Sequence, residues 1–82
     1  MLRITRRPDR GLDLEGRLTR YEVGLLRETV SSADAIPAHV DLSGIGFLDE
    51  AGAAALVELG RRGLELRGGS SFVRRLLEEV SS

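Results

Sequence analysis

The chain has 82 residues, enough for one domain, and a domain this small buries only about 60% of the surface that its unfolded chain exposes. Its 41% hydrophobic and 30% charged residues are typical of a globular protein. A net charge of −1 gives no electrostatic reason to expect nucleic acid, and the absence of cysteine excludes disulfides and thiol chemistry. No apolar run resembles a membrane span or a signal peptide, so we expect a cytoplasmic protein.

Four short segments alternate apolar and polar residues with a period of two, which predicts strands that are covered on one face only. The segments are residues 2–5, 12–15, 40–43 and 64–67. Residues 8–11 contain a proline and a glycine and fit a turn, so the first two strands are predicted to form a hairpin. Across this hairpin, Arg3 is expected to share a face with the carboxylates of Asp13 and Glu15.

Two helical patterns follow the second and third strands. The first opens with a capping box, in which the Thr19 hydroxyl is expected to accept from the amide of Glu22 while the Glu22 side chain reaches back. Its apolar stripe consists of Val23, Leu26 and Val30. The second pattern is rich in alanine, runs from about residue 50 to residue 62, and ends at Gly63, a residue suited to a left-handed backbone.

A third helical pattern starts at Ser70 or Ser71, with Val73, Leu76, Leu77 and Val80 at helical spacing. The predicted order of elements is therefore β-β-α-β-α-β-α, and its strand–helix–strand units require parallel pairing with right-handed crossovers. Because the strands alternate instead of being apolar throughout, we expect every helix on one face and water on the other. The predicted fold class is α/β: a one-sided β-α superhelix, with about four strands in a mixed sheet and three helices on one face.

Few residues are equipped for catalysis. His39 is the only histidine, and we interpret it as an exposed loop or strand-start residue, because no cysteine or second histidine accompanies it as a partner for a general base. A lone histidine with scattered carboxylates also lacks the spacing of a metal site, so no metal or cofactor is expected. Asp13 and Glu15 are interpreted as the solvated face of a strand, not as an acid–base pair.

Two glycine-containing segments are candidates for contact with a ligand. Gly44 and Gly46 are not followed by a third spaced glycine, so they do not make a dinucleotide fingerprint. The second segment consists of Gly68, Gly69, Ser70 and Ser71. It leads into a helix N-terminus, where free amides can hold an anion, and the alternative interpretation is a strand-to-helix turn with a serine cap.

Residues 40–53 combine a strand, a loop and the start of the alanine-rich helix. Asp49 is well placed as the N-cap, and Glu50 lies in the first turn, where the helix dipole favours negative charge by about 0.3–1 kcal/mol. Capping explains both acids. The small residues that follow, Gly52, Ala53 and Ala54, let another surface approach closely and indicate a docking face.

Together these motifs resemble a STAS domain, the sulfate-transporter and anti-sigma-antagonist family. The family phrase is an apolar strand ending in Asp-Leu-Ser, a short loop with an aromatic residue, and Asp-Ser-(Ser/Ala)-Gly at the start of a helix. The residues that match it in order and spacing are Asp41, Leu42, Ser43, Phe47, Asp49, Ala51 and Gly52. Residues 14–18 resemble the phrase before the first helix, and residues 66–77 resemble the fourth strand and its helix, so the resemblance covers nearly the whole chain.

The resemblance implies a one-sided superhelix and a protein-interaction switch. Bacterial anti-sigma antagonists bind an anti-sigma factor that is also a serine kinase, and phosphorylation of the serine after the capping Asp releases the partner. Glu50 stands at that serine, so the usual phosphorylation is not expected, and either a released-like state or a distinct specificity follows. The implied partner-binding residues are Asp49, Glu50, Ala51, Gly52, Ala53 and Ser43, with Thr19 where the family often has Asp.

We expect residues 1–82 to form a single STAS-like domain without the last strand and helix of many members, which leaves the fourth strand as a candidate edge for a homodimer. The predicted function is a non-catalytic, anti-sigma-antagonist-like regulator whose partner is an anti-sigma factor or serine kinase. The alternative is a STAS subunit that docks on the ATPase of an ABC lipid-transport system without entering the membrane. A small enzyme or a nucleotide-binding module is the remote alternative.

Overall fold

The computed structural model describes residues 1–32 and 37–81 of the chain. Its elements in chain order are β1 (Leu2–Arg6), β2 (Gly11–Leu18), α1 (Val23–Ser31), β3 (His39–Leu48), α2 (Glu50–Arg61), β4 (Glu65–Arg67) and α3 (Ser71–Ser81). The predicted order of strands and helices is confirmed. Within the described residues, no helix combines the length and the apolar character needed to cross a membrane.

The strands form one mixed sheet in the order β1-β2-β3-β4. β1 and β2 are the predicted antiparallel hairpin, in which Arg3 lies opposite Glu15. β2, β3 and β4 run parallel, but β4 pairs with β3 only between residues 39 and 41. Beyond residue 41, β2 is the one strand that pairs with β3 in the part of the chain that the structure describes.

A single aliphatic core lies between the sheet and the helices. Its buried members in the strands include Leu12, Leu14, Val40, Leu42 and Leu48. All three helices contribute to the same cluster: Leu26 from α1, Leu56 from α2 and Val73 from α3 are each 0% exposed. Because one face of the alternating strands supplies the core, the helices cover that face, as predicted.

The third strand is longer than the alternation predicts, because residues 44–48, which we interpreted as a loop, are the second half of β3. The pairing of β2 with β3 shifts register twice, between Asp41 and Gly44 and between Ile45 and Phe47, which breaks the period of two that identifies a strand in a sequence. Gly44 allows the close approach of the two strands, since a Cβ there would lie 2.7 Å from Cγ of Glu15 and 2.8 Å from the carbonyl oxygen of Leu14.

The ends of the later helices follow their predicted signals. At the end of α2, Gly63 has φ of +104° and its amide donates to the carbonyl of Gly60, while the Leu64 amide donates to the carbonyl of Leu59. These paired bonds satisfy carbonyls that the last turn would leave free. At the start of α3, the hydroxyl oxygen of Ser70 accepts from the amide of Val73 at 3.3 Å, so the serine cap is present.

Candidate functional site

The three helices begin at one end of the sheet. β2 and β3 are parallel, and their last residues, Leu18 and Leu48, lie opposite each other. The chain leaves β2 into the turn before α1 and leaves β3 directly into α2. Phe72, in the first turn of α3, contacts Phe47 near the end of β3. Residues 47–52 of the STAS-like motif therefore lie near the starts of all three helices.

Asp49 joins two of these helix starts. Its backbone is extended, and its Oδ1 accepts from the amide of Gly52 at 2.8 Å, which is the predicted N-cap bond. Its Oδ2 accepts from the amide of Arg20 at 3.0 Å, across the gap to the turn before α1. Partial burial works to raise the pKa of Asp49, but the amides of Gly52 and Arg20 and the charge of Arg20 outweigh it and leave the pKa lowered. The carboxylate is thus held ionised and fixed.

Glu50 follows as an exposed residue in the first turn of α2. Its carboxylate has no hydrogen-bond or ion-pair partner among residues 1–32 and 37–81. Ala51 and Ala54 are exposed beside it. The start of α2 therefore presents one carboxylate that is unpaired within the described residues, next to two methyl side chains.

Gly52 and Ala53, which we predicted to belong to a docking face, are both buried. A Cβ on Gly52 would run into the carbonyl oxygen of Leu18, so the absence of a side chain allows α2 to pack against the end of β2. Ala53 is 0% exposed. The small residues thus serve internal packing, and neither offers a surface to a partner in this conformation.

Thr19 is also buried, at 7% exposure, and its bonds are internal. The predicted capping box is present in part: the Glu22 carboxylate accepts from the Thr19 amide at 3.0 Å and from its hydroxyl. The Thr19 hydroxyl oxygen accepts from the amide of Tyr21 instead of Glu22, which forms a tight turn and delays α1 to Val23. Bonds from the hydroxyl and amide of Thr19 lower the pKa of Glu22. Thr19 therefore stabilises the turn before α1 and is not exposed to a partner.

Ser43 lies apart from the Asp49 group, on the exposed face of the sheet. It precedes the end of β3 by five residues, a separation on the order of 15 Å along a strand. Its amide donates to Oδ1 of Asp41 at 2.8 Å, and the hydroxyl and amide of Ser43 lower the pKa of that carboxyl. The structure thus places Ser43 in a local turn of the strand, away from Glu50.

The candidate anion loop folds against the sheet. Gly68 and Gly69 have φ of +70° and +96°, values that favour glycine, and Gly69 lies close to Leu42 and Val73. Ser70 caps α3 through its hydroxyl, and Ser71 begins the helix. Capping and close packing account for these four residues, and the anion role stays a prediction.

His39 is a strand-start residue, as interpreted, but the expectation that it is exposed is wrong. It is 4% exposed, and its imidazole covers Gly11, where any side chain would collide with the ring. Nε2 lies 3.6 Å from Oδ2 of Asp9 and has no hydrogen-bond partner among the described residues. The ring is therefore closed to solvent in this conformation, since it lies against Gly11 and is almost fully buried.

The two carboxylates on β2 do not form a pair. Asp13 accepts from the guanidinium of Arg7 at 3.0 Å, and Glu15 is exposed on the open sheet face. In the part of the chain that the structure describes, no three His, Cys, Asp or Glu side chains are grouped to hold a metal ion. The solvated-face interpretation accounts for both residues.

Sequence reasoning missed the aromatic residues as a group. Tyr21, Phe47 and Phe72 are the only aromatic residues of the chain, and all are exposed: 77%, 43% and 50%. The guanidinium of Arg17 lies 5.6 Å from the Phe47 ring centre, and that of Arg20 lies 4.9 Å from the Tyr21 ring centre. The signal that could have found them is their placement, since each lies within a few residues of a predicted helix start.

A family model described as "Mlab, STAS domain" matches residues 3–81, and the chain belongs to the STAS domain family. Eight chains of solved structures also match. One of them is titled "Structure of the Anti-Sigma Factor Antagonist SpoIIAA in its Unphosphorylated Form", with a TM-score of 0.70 and 16% identity over 95% of this chain and 82% of that chain. No curated protein matches the sequence. The likeness to SpoIIAA confirms the predicted fold.

Proposed function

We propose that this STAS domain is a non-catalytic protein-binding module of the anti-sigma-antagonist type, which binds a regulatory protein through the start of α2. The observation that carries the proposal is Glu50. The resemblance puts it at the position of the family's serine. In the structure it is exposed, has no partner among the described residues, and follows an aspartate whose carboxylate accepts from two amides.

Glutamate at this position makes the charge permanent. A phosphoserine carries about −1.5 to −2 charges and three clustered oxygens, whereas a glutamate carries a single charge on two oxygens. A kinase cannot add phosphate to Glu50, so the binding surface keeps one electrostatic state. We propose that the partner recognises this acidic surface directly, instead of being released by a modification at this residue.

The burial of His39 and the ion pair of Asp13 with Arg7 support the non-catalytic part of the proposal. A catalytic group must reach a reacting atom of the substrate, and His39 is closed off by its neighbours. The compartment that we propose is the cytoplasm, and the unit that we propose is one domain over residues 1–82.

The second candidate keeps the fold and the docking edge but changes the partner to the ATPase of an ABC lipid-transport system. The matching family model is described as "Mlab, STAS domain" and does not name an anti-sigma antagonist, so this partner is kept as the second candidate. The two candidates predict different partners in different cell fractions. The first predicts a kinase-like ATPase in the soluble fraction, and the second predicts a transport complex in the membrane fraction.

The test is an affinity pull-down from native extract with mass spectrometry of the captured protein, followed by titration of that purified partner. We expect Glu50→Ser to weaken binding by about fivefold or more, because the recognised carboxylate is lost, while the far-UV circular dichroism is unchanged, because Asp49 stays as the cap. Glu79→Ser, at an exposed position in the last turns of α3, is the matched control. Equal affinities for wild type and Glu50→Ser would remove Glu50 from the mechanism.

A further inference from the structure

We propose that Arg17, Phe47 and Phe72 form a second contact surface, which receives an acidic segment of the partner protein that also carries a large apolar side chain. We call these residues the aromatic patch. The inference rests on the proposed protein-binding function, and it adds a site and a partner chemistry that the start of α2 does not specify.

The first argument is the position of the rings. The buried core of this chain is built from leucine, valine, isoleucine and alanine, while both phenylalanines are about half exposed at 43% and 50%. A small domain gains most from burying its largest apolar side chains, and aromatic residues are enriched in the buried centres of protein interfaces. Two large rings left outside an aliphatic core therefore mark a surface that is covered in a complex.

The second argument is that the rings form one surface. The ring centres of Phe47 and Phe72 lie 6.2 Å apart, with an angle of 26° between the planes, although one residue is in β3 and the other in α3. Arg17 lies opposite Phe47 in the β2–β3 pairing and holds its guanidinium over the ring. Three separate elements thus supply one contiguous contact area.

The third argument is the charge of Arg17. Arg7, Arg27 and Arg67 each contact a carboxylate in an ion pair. For Arg17, the described residues contain no carboxylate within ion-pair distance. Its guanidinium lies over the Phe47 ring, and at longer range its charge helps to lower the pKa of Glu22. A cation that stays exposed over a ring can accept a carboxylate while the ring covers apolar surface.

The chemistry of the partner follows from this pairing. A complementary segment places an Asp or Glu side chain on Arg17 and a Leu, Ile or aromatic side chain on Phe47 and Phe72. The patch lies at the same end of the sheet as the proposed docking edge, since Arg17 and Phe47 directly precede Leu18 and Leu48, the last residues of β2 and β3. We propose that one partner contacts both surfaces.

The test is a titration of the ¹⁵N-labelled protein with a synthetic amphipathic helical peptide, monitored by the NMR chemical shifts of the amides. The peptide has a stripe of Leu and Phe flanked by Glu. A second peptide has Lys in place of every Glu. We expect the acidic peptide to shift the amides of Arg17, Phe47 and Phe72, and the Lys peptide to bind at least about tenfold more weakly.

Substitutions in the aromatic patch test how much each residue contributes to the affinity for the acidic peptide. Phe72→Ser is expected to weaken binding of the acidic peptide by about tenfold or more, and Arg17→Gln by about fivefold with a smaller dependence on salt. The matched controls are Leu25→Ser, which removes an apolar side chain that is 49% exposed on α1, and Arg75→Gln, which removes an exposed guanidinium on α3. Both controls are expected to leave the affinity within about twofold.

Three results would overturn the proposal: shifts that map to another face, equal affinity for the two peptides, or controls that weaken binding as much as the patch variants do. Sedimentation that shows a concentration-dependent dimer abolished by Phe72→Ser would also overturn it, because the occupant would then be a second copy of this chain. The peptide titration is independent of Glu50. If the natural partner responds to Phe72→Ser but not to Glu50→Ser, the patch stands and the role proposed for Glu50 fails.

Discussion

The two ends of β3 are built in opposite ways. At its first residue, His39 is buried between β2 and β4, with Gly11 on one side and Glu65 on the other. At its far end, Phe47 is 43% exposed, and the strand neighbour that the structure describes there is β2 alone. One strand thus runs from a closed end to an open end.

The difference in exposure between the two ends affects which residues are candidates for a functional site. His39 has the richer chemistry, since an imidazole can both donate and accept a hydrogen bond, but its ring is buried against Gly11. Phe47 has no acid–base chemistry, yet it is exposed beside Arg17 and Phe72 where a partner can contact it. In this protein, exposure and not chemical type distinguishes the end of the strand that we propose as a contact surface from the end that is buried.

The largest expected effect tests whether the open end contributes to folding. Leu48 is 1% exposed, so Leu48→Ala is expected to lower the free energy of unfolding by about 2–5 kcal/mol. Phe47→Ala, one residue earlier, removes a larger side chain but is expected to cost only about 0.5–1.5 kcal/mol, the value of an exposed aromatic contact. Urea unfolding followed by circular dichroism at 222 nm measures both. A Phe47 variant as unstable as the Leu48 variant would make that ring part of the core.

A pair of glycines compares the two ends directly. Gly11→Ala puts a Cβ into the His39 ring at the closed end and is expected to cost about 1–3 kcal/mol. Gly46→Ala at the open end meets nothing nearer than the carbonyl oxygen of Gly16 at 3.8 Å and is expected to stay within about 0.5 kcal/mol. Thermal unfolding of the two variants checks this ranking, and the reverse order would contradict the packing described for His39.

The smallest expected effect separates the two acids at the start of α2. Asp49→Ala removes bonds to the amides of Gly52 and Arg20 and is expected to cost about 0.5–2 kcal/mol, against about 0.3–1 kcal/mol for Glu50→Ala, which loses only an interaction with the helix dipole. Denaturant titrations at neutral pH give both values.

The pH dependence of the Asp49 effect has a definite sign. The folded-state pKa of Asp49 is lowered from 3.8, so its charged form stabilises the protein above that unfolded-state value. The contribution is lost as the pH falls through the lower, folded-state pKa. The difference in stability between wild type and Asp49→Ala should therefore shrink on acidification, and a constant difference would mean that the ionised carboxylate adds nothing beyond its neutral form.

The sequence predicts the architecture well because alternation and helix signals are local. Each of these signals is carried by residues that are close together in the sequence. Examples are the alternating leucines of β2, the N-cap bond of Asp49 to Gly52, and the left-handed backbone of Gly63. The second half of β3 escapes prediction because its register shifts depend on the partner strand, which no local pattern records.

The site is less predictable, for a related reason. Whether Gly52 lets a partner approach or lets β2 approach depends on where the carbonyl of Leu18 lies, and the sequence alone does not place it. The same holds for His39, whose burial follows from its contact with Gly11. Phe72 and Arg17 meet at Phe47 from elements far apart in the chain, so their grouping becomes visible only when the sheet and α3 are assembled.

The exposure of every aromatic residue has a spectroscopic consequence. The chain has no tryptophan, so its intrinsic ultraviolet fluorescence arises from Tyr21, which is 77% exposed and stacked with Arg20. A ring already in water changes its surroundings little when the core unfolds. The fluorescence of Tyr21 is therefore expected to change little on unfolding. Because Tyr21 lies in the turn whose Arg20 amide donates to Asp49 at the start of α2, a partner that binds there is expected to change it.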